Sequence, residues 1–541
     1  MNYLIEIVKK NKILVGSYLL SGILIAFLSS FNANYFQKLI DRFNDGTLSI
    51  SNIIIYGIVL LAACVFNYLD EYPGRSLEHE IFLNLKLSAL KKISRIDYQV
   101  YQTMGTGKLV QRIENGASSG KGVLFEFLFC LFRQLIPSIA FSMFFIYRMD
   151  KRVMLAISAG YVAVFIITHL LLKVLYQIKG HILSNEEKMN HFLVRGFMEM
   201  VVFRINKRFK YEIEKAETAK RQIVSSKVKM TLIHEAFFAV FALIVIAIKI
   251  SIVFYGWITK SLSIGAIVAL ISLVDNAYTP IAIFNVQFVQ YKLDKTAYKR
   301  YVEFLEAPND QQLGRGERIK SLKVDISCMG LGFSYDKRVI LDNFNLLIRQ
   351  GENVALVGES GSGKSTLVKL LVGLLKPCAG KITVGNYDLS HLDLNCYYNH
   401  ISYIPQESPV FDGSLRENLV FDKKVDDREI IKALEQVELI DLYNKLEKGL
   451  DTELGERGIT LSGGERQRLA LARLWFSGTD VVILDEATSA MDNKTEEIVM
   501  GRVMKLLKAQ TVIAIAHRLN SIRDFERIIV LTEGHITGQD S

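Results

Sequence analysis

The feature that most narrows the fold is a set of six apolar runs, near 13–31, 53–69, 123–147, 153–177, 235–256 and 262–286. A helix needs about 20 apolar residues to cross the hydrocarbon of a bilayer. Inside lipid every backbone N–H and C=O has to find its partner within the protein, which favours helices for runs of this kind. The composition agrees, with 50% of the 541 residues hydrophobic and a mean hydropathy of +0.23, too apolar for an ordinary soluble enzyme. The second run is short, and Asp275, Asn276 and Pro280 are expected to break the sixth. The first, ILVGSYLLSGILIAFLSSF, is too long for a cleaved signal and lacks a small-residue cleavage pattern. Ahead of it, MNYLIEIVKKNK reads as a short amphipathic helix on the membrane surface.

Short links follow runs one, three and five. Long links, about 70–122 and 178–234, follow runs two and four and carry 8 and 12 Lys+Arg. The excess of basic charge places these links and the N-terminus in the cytoplasm of a multi-pass cell-membrane protein, although Arg148, Lys151 and Arg152 run against that rule. HEIFLNLKLSALKKI (79–93) and RFKYEIEKAETAKRQIVSSKVKM (208–230) read as helix throughout, so the spans are expected to continue as cytoplasmic stalks. NDQQLGRGERIKSLK (309–323) is polar and glycine-containing, a linker between a membrane domain (1–308) and a second domain (324–541). Charge divides at the same place: residues 1–320 hold 39 Lys+Arg against 24 Asp+Glu, and residues 321–541 hold 26 against 32. Because the basic charge flanks apolar runs, it points to lipid headgroups and not to nucleic acid. Five scattered cysteines without a CxxC pair predict neither a disulfide framework nor a zinc site.

The second domain carries ENVALVGESGSGKSTLVKL at 352–370, a strand-like run, a glycine-rich turn and a helix-forming run. Gly358, Glu359, Ser360, Gly361, Ser362, Gly363, Lys364, Ser365 and Thr366 fit a phosphate-binding loop. Its backbone N–H groups would close on phosphates at the positive end of a helix dipole. Lys364 would reach the β- and γ-phosphates of ATP, and the Ser365 hydroxyl would ligate Mg²⁺. VVILDEATSAMD (481–492) reads as a buried parallel strand ending in two acids. Asp485 would hold the hydration shell of Mg²⁺, and Glu486 would orient the attacking water. Gln406 is a candidate for Mg²⁺ and that water, His517 for the γ-phosphate and Tyr335 for stacking on adenine. Singly these three are ordinary core or loop residues, and only their order along the chain gives them weight. In LSGGERQRLALAR (461–473), Ser462, Gly463 and Gly464 open a bare helix N-terminus with nothing of its own to bind.

Ionisable groups inside a span are costly and usually face a protein interior or a wet cavity. Arg133, His169, Lys249 and Asp275 lie deep in their runs and are candidates for a substrate cavity, whereas Glu126 and Lys173 sit near run ends. Pairing Asp275 with Lys249 or Arg133 is expected to leave one cation over. That predicts a neutral-to-positive cavity and a preference for cargo with an anionic group.

The ordered set resembles the ABC transporters of exporter type, as a half-transporter with one membrane domain ahead of one ATP-binding domain. The motifs that carry the resemblance are Tyr335, GESGSGKST (358–366) as Walker A, Gln406 as Q-loop and GERG (455–458). LSGGERQ (461–467) as signature, VVILDE (481–486) as Walker B, SAMD (489–492) as D-loop and His517 as switch histidine complete it. YQTMGTGKLVQRI (101–113) resembles the family's first cytoplasmic coupling segment. The resemblance implies an α-helical transmembrane domain of six spans followed by an α/β P-loop ATPase domain. It also implies ATP and Mg²⁺ as cofactors, and a dimer, of two copies or with a related half-transporter, in which each LSGG caps the other subunit's ATP. The implied function is ATP-driven export of a peptide, lipid or amphipathic small molecule by alternating access. The alternative is a membrane ATPase that gates a channel or senses a ligand. Met491 departs from the usual leucine. No cysteine-protease segment precedes the first run, so leader-peptide cleavage is not expected.

Overall fold

The computed structural model describes residues 2–540 except 337, 456–457, 459–460 and 517–524, and leaves undescribed the side chains of 106–107, 165, 168–173, 183, 282, 285–286 and 540. The chain forms two compact units. Met1–Ser94 with Gly105–Ala307 make one, and Arg95–Met104 with Pro308–Ser541 make the other.

The first unit is helical. Among the described residues, Lys12–Asn44, Ile50–Ile93, Lys108–Met149, Phe209–Thr259 and Ile264–Ile281 are long and apolar enough to cross a membrane. The fourth run lies within the helix Lys151–Met198, where several side chains are undescribed. The helix Phe209–Thr259 has 51 residues, a length of about 75 Å at 1.5 Å per residue. That is more than twice the hydrocarbon thickness of about 30 Å, so much of it stands outside the lipid as a stalk.

The sixth run is not broken. A single helix, Ile264–Leu305, carries Asp275, Asn276 and Pro280 without interruption. A proline removes one backbone hydrogen bond, and here tertiary packing holds the turn before it. Tyr278 is 1% exposed, its ring stacks on Tyr161 at 4.5 Å, and its hydroxyl donates to the Ile157 carbonyl at 2.9 Å. Pro73 is likewise carried inside Ile50–Ile93. The third run departs from regular helix in another way, with π-helical turns at Gly122–Phe129 and Leu131–Leu135 before Ile136–Met149.

Among the described residues the second unit contains ten strands: β1 Ile326–Tyr335, β2 Arg338–Ile348, β3 Asn353–Gly358, β4 Ala379–Val384, β5 Tyr387–Asp388, β6 Ile401–Ile404, β7 Val481–Asp485, β8 Thr511–Ile515, β9 Arg527–Thr532 and β10 His535–Asp540. They form an antiparallel sheet, β2-β1-β4-β5, and a six-stranded sheet, β10-β9-β3-β8-β7-β6. In the larger sheet β9, β3, β8, β7 and β6 are parallel and only β10 runs against its neighbour. All five residues of β7 and of β8 are buried, as expected for strands covered on both faces. Parallel sheets present ligand crevices at the carboxyl ends of their strands, and β3, β7 and β6 all deliver candidate residues there.

Arg95–Met104 is built into this second unit although it lies between helices of the first. Ile96 pairs with Asn309, the Asp97 amide donates to the Pro308 carbonyl at 3.1 Å, and the Asp310 amide donates to the Arg95 carbonyl at 2.8 Å. Lys376 bridges Asp310 at 3.0 Å and Asp97 at 3.6 Å. The segment expected at 101–113 is therefore divided, with 101–104 in the second unit and 105–113 in the first.

Candidate functional site

The loop between β3 and the helix Lys364–Leu371 bends through positive φ at Gly358 (150°), Gly361 (85°) and Gly363 (104°). Lys364 is 5% exposed, and its ammonium donates to the Gly358 and Glu359 carbonyls, both at 2.8 Å, inside that loop. Burial pulls its pKa below the usual lysine value, against the opposing pull of Glu486 and Asp485.

Asp485 ends β7 at 3% exposure. Its Oδ1 accepts from the Ser365 hydroxyl at 3.4 Å and its Oδ2 from the Tyr403 hydroxyl at 3.3 Å. Burial, with the Glu486 charge adding to it, holds this carboxyl above the usual carboxylate range, while Tyr403 and Ser365 act to lower it. Among the described residues no lysine or arginine forms an ion pair with it. A buried acid with a hydroxyl beside it and no cationic partner is a donor set that suits Mg²⁺. Glu486 follows at a positive φ of 51° and accepts from Gln406 Nε2 at 2.7 Å. The backbone thus gathers Lys364, Ser365, Gln406, Asp485 and Glu486 from three parts of the sequence.

These polar contacts do not extend to Tyr335, which stands half-exposed at the end of β1, edge-on to Phe333 at 4.9 Å. His517, and Glu456 and Arg457 of the GERG stretch, lie outside the described residues.

Ser462 N-caps the helix Gly463–Ala472 in a capping box. Its hydroxyl accepts from the Glu465 amide at 3.3 Å, and its own amide donates to Glu465 Oε2 at 2.7 Å. Gly464 lies close to the Ala490 carbonyl, where an added Cβ would come to 3.0 Å. The glycine therefore has a reason within its own chain as well as the one expected for a ligand. Two residues carry roles that sequence reasoning does not reach. Gln467 is 4% exposed, donates to Ser489 Oγ at 2.9 Å and accepts from the Ala490 amide at 2.8 Å, tying the signature helix to the SAMD turn. Tyr403 is the other, and an aromatic in a strand carries no signal that its hydroxyl meets a carboxylate.

In the membrane unit the surplus cation expected from Arg133, Lys249 and Asp275 is not found. Lys249 pairs with Asp275 at 2.6 Å. Arg133 pairs with Asp70, stands 4.1 Å over the Tyr18 ring and donates to the Tyr18 hydroxyl at 3.1 Å. Asp70, just beyond the second run, is 9% exposed and supplies the missing negative charge. Gly22 makes room for the Arg133 side chain, which would run into any Cβ placed there. Arg133 is thus engaged in packing between helices. The His169 side chain is not described.

Two family models match the chain, the ABC transporter transmembrane region over residues 14–277 and the ABC transporter over 341–489. An uncharacterised ABC transporter ATP-binding protein, YwjA, of Bacillus subtilis (strain 168) is 36% identical over 285 residues, covering 52% of this chain and 50% of its own length. The leukotoxin translocation ATP-binding protein LktB of Mannheimia haemolytica is also 36% identical over 285 residues, covering 52% of this chain and 40% of its own. The chain therefore spans about half the length, or less, of these curated relatives. A bacterial Atm1-family ABC exporter, solved with ATP bound, superposes with a TM-score of 0.84 at 21% identity, over 97% of this chain and 95% of that one, a likeness of fold. A helical membrane region and an ATP-binding region of one family, joined in that order and folded as in an exporter of that family, make this chain a member of the ABC transporters.

Proposed function

We propose that this chain hydrolyses MgATP and uses the cycle to export a substrate across the cytoplasmic membrane by alternating access. The observation that carries the reading is the meeting of Lys364, Ser365, Asp485, Glu486 and Gln406 at one end of a parallel sheet, in a chain whose other unit is made of membrane-length helices. ATP is held through the loop N–H groups and Lys364. Ser365 and Asp485 would hold Mg²⁺, with Gln406 near it, and the bound ion would offset phosphate charge. Glu486 orients the attacking water, and Gln406 keeps that carboxylate in place. His517 assists at the γ-phosphate, and Tyr335 stacks on the adenine.

The signature helix offers the Ser462 hydroxyl, two glycine N–H groups and a dipole to the ATP of a second copy. A homodimer is the simplest active unit because Glu486 and the signature are both present in this chain, and a related half-transporter is the other candidate partner. The long basic links, the N-terminus and the ATP-binding unit face the cytoplasm. Cargo classes to test are peptide, lipid and amphipathic small molecule, and likeness to a leukotoxin translocation protein adds toxin cargo. ATP-dependent uptake into inverted vesicles, abolished by Glu486→Gln, tests the reading. Substrate-stimulated ATPase without any uptake would favour a gated channel or a sensor.

A further inference from the structure

Tyr403 lies on β6, three residues before Gln406. Its hydroxyl donates to Asp485 Oδ2 at 3.3 Å while the Ser365 hydroxyl reaches Oδ1 at 3.4 Å. The two oxygens of one buried carboxylate are thus engaged by donors from two different elements, which fixes the plane of the carboxylate as well as its place. Packing alone does not call for this hydroxyl, since a phenylalanine would fill the same volume, and a half-buried phenol normally requires a partner for its O–H.

A second aromatic residue packs on the same core. Tyr98, the first residue of the helix Tyr98–Met104, packs against the apolar core of the ATP-binding unit, as does Tyr403. The Tyr98 hydroxyl accepts from Gln102 Nε2 at 2.9 Å, which holds the ring on its helix. The inserted segment Arg95–Met104 therefore places an aromatic ring against the same core on which Tyr403 packs.

We propose that Tyr403 is a positioning residue for the metal-site carboxylate. This deepens, and rests on, the MgATP reading of the site. Donors behind a metal ligand change metal affinity by about 10–100-fold when removed. Loss of the Tyr403 hydroxyl leaves Oδ2 without that donor and the carboxylate free to turn, so the cost falls on Mg²⁺ and not on the nucleotide alone.

The test uses the full chain in lipid nanodiscs, with binding of a fluorescent ATP analogue titrated against Mg²⁺ and, separately, in EDTA. Tyr403→Phe is expected to raise the Mg²⁺ concentration for half-maximal tightening about tenfold and to leave binding in EDTA unchanged. Magnesium dependence in Tyr403→Phe equal to wild type overturns the proposal and leaves the nucleotide site standing. Equal loss in Mg²⁺ and in EDTA also overturns it, since that marks a packing role. A wild type that binds no nucleotide overturns both readings.

Discussion

Neutralising Asp70 tests how the membrane unit is held together. Asp70→Asn keeps the shape of the side chain and removes the charge opposite Arg133, whose side chain is 21% exposed beside an acid at 12%. Removing one partner of a buried pair costs about 3–5 kcal/mol, mostly because the other charge is left behind. Arg133 would keep the Tyr18 hydroxyl and ring, contacts that the wild type makes too, so they do not offset the loss. The expectation is a loss of about 3–5 kcal/mol, read as a lower thermal midpoint in nanodiscs. Arg133→Met alone should cost a similar amount by stranding Asp70. The double variant should recover much of the loss, since a pair replaced by neutral groups leaves no unmatched charge. Single variants as stable as wild type, or a double variant as unstable as the two singles added, would refute the reasoning. Transport should follow the same logic. With Arg133 and Lys249 both paired, neither should bias cargo by charge, so a selective loss of anionic cargo in Arg133→Met would contradict the pairing.

Glu486→Gln should bind MgATP, hydrolyse it roughly a hundredfold more slowly and accumulate a closed dimer; steady-state ATPase near wild type would remove Glu486 from its role. Ser462→Arg should slow hydrolysis while sparing initial nucleotide binding, because it places a bulky cation where a second copy's phosphate docks; normal ATPase would reject the composite site. Asp294, beyond the sixth run, is pushed up to about 6 by burial above all, with Glu126 adding and the Gln290 and Ser119 donors opposing. The native state then holds this proton longer than the unfolded chain, whose carboxyl titrates near about 4, so this group makes stability fall as pH rises from about 4 to 6. Asp294→Asn should flatten that slope and be more stable than wild type at pH 7, and an identical pH profile in thermal unfolding would refute it.

The membrane helices can be read from the sequence because a run that is apolar all round has few other places to go. The phosphate loop can be read because glycine, lysine and serine at that spacing between a strand and a helix suit little besides a phosphate group. What stays hidden depends on tertiary contact. The helix through Pro280 survives because Tyr278 is anchored on Ile157 and Tyr161, residues more than a hundred positions away. The partner of Arg133 stays hidden because Asp70 lies at the ragged end of a short run, where an acid reads as an interface residue. Gln467 and Tyr403 matter through hydrogen bonds to residues of other elements, and neither residue type announces that by itself. The division of 101–113 between the two units depends on backbone pairing of 95–97 with 308–310, which no local pattern encodes.

That pairing has a consequence for how the protein is made. The ribosome releases residues 95–104 long before the stretch from 308 onward with which they fold. Chains fold in the order of synthesis only where each unit is continuous, and here the ATP-binding unit has to wait for its last strands while an early piece of it is already tethered between helices entering the membrane. A truncated product starting at 308 would lack that piece. It would leave bare the surface covered by Tyr98 and deprive Lys376 of Asp97. A soluble fragment intended to represent this unit should therefore carry 95–104 as a graft, and such a graft is the natural starting point for studying the unit apart from the bilayer.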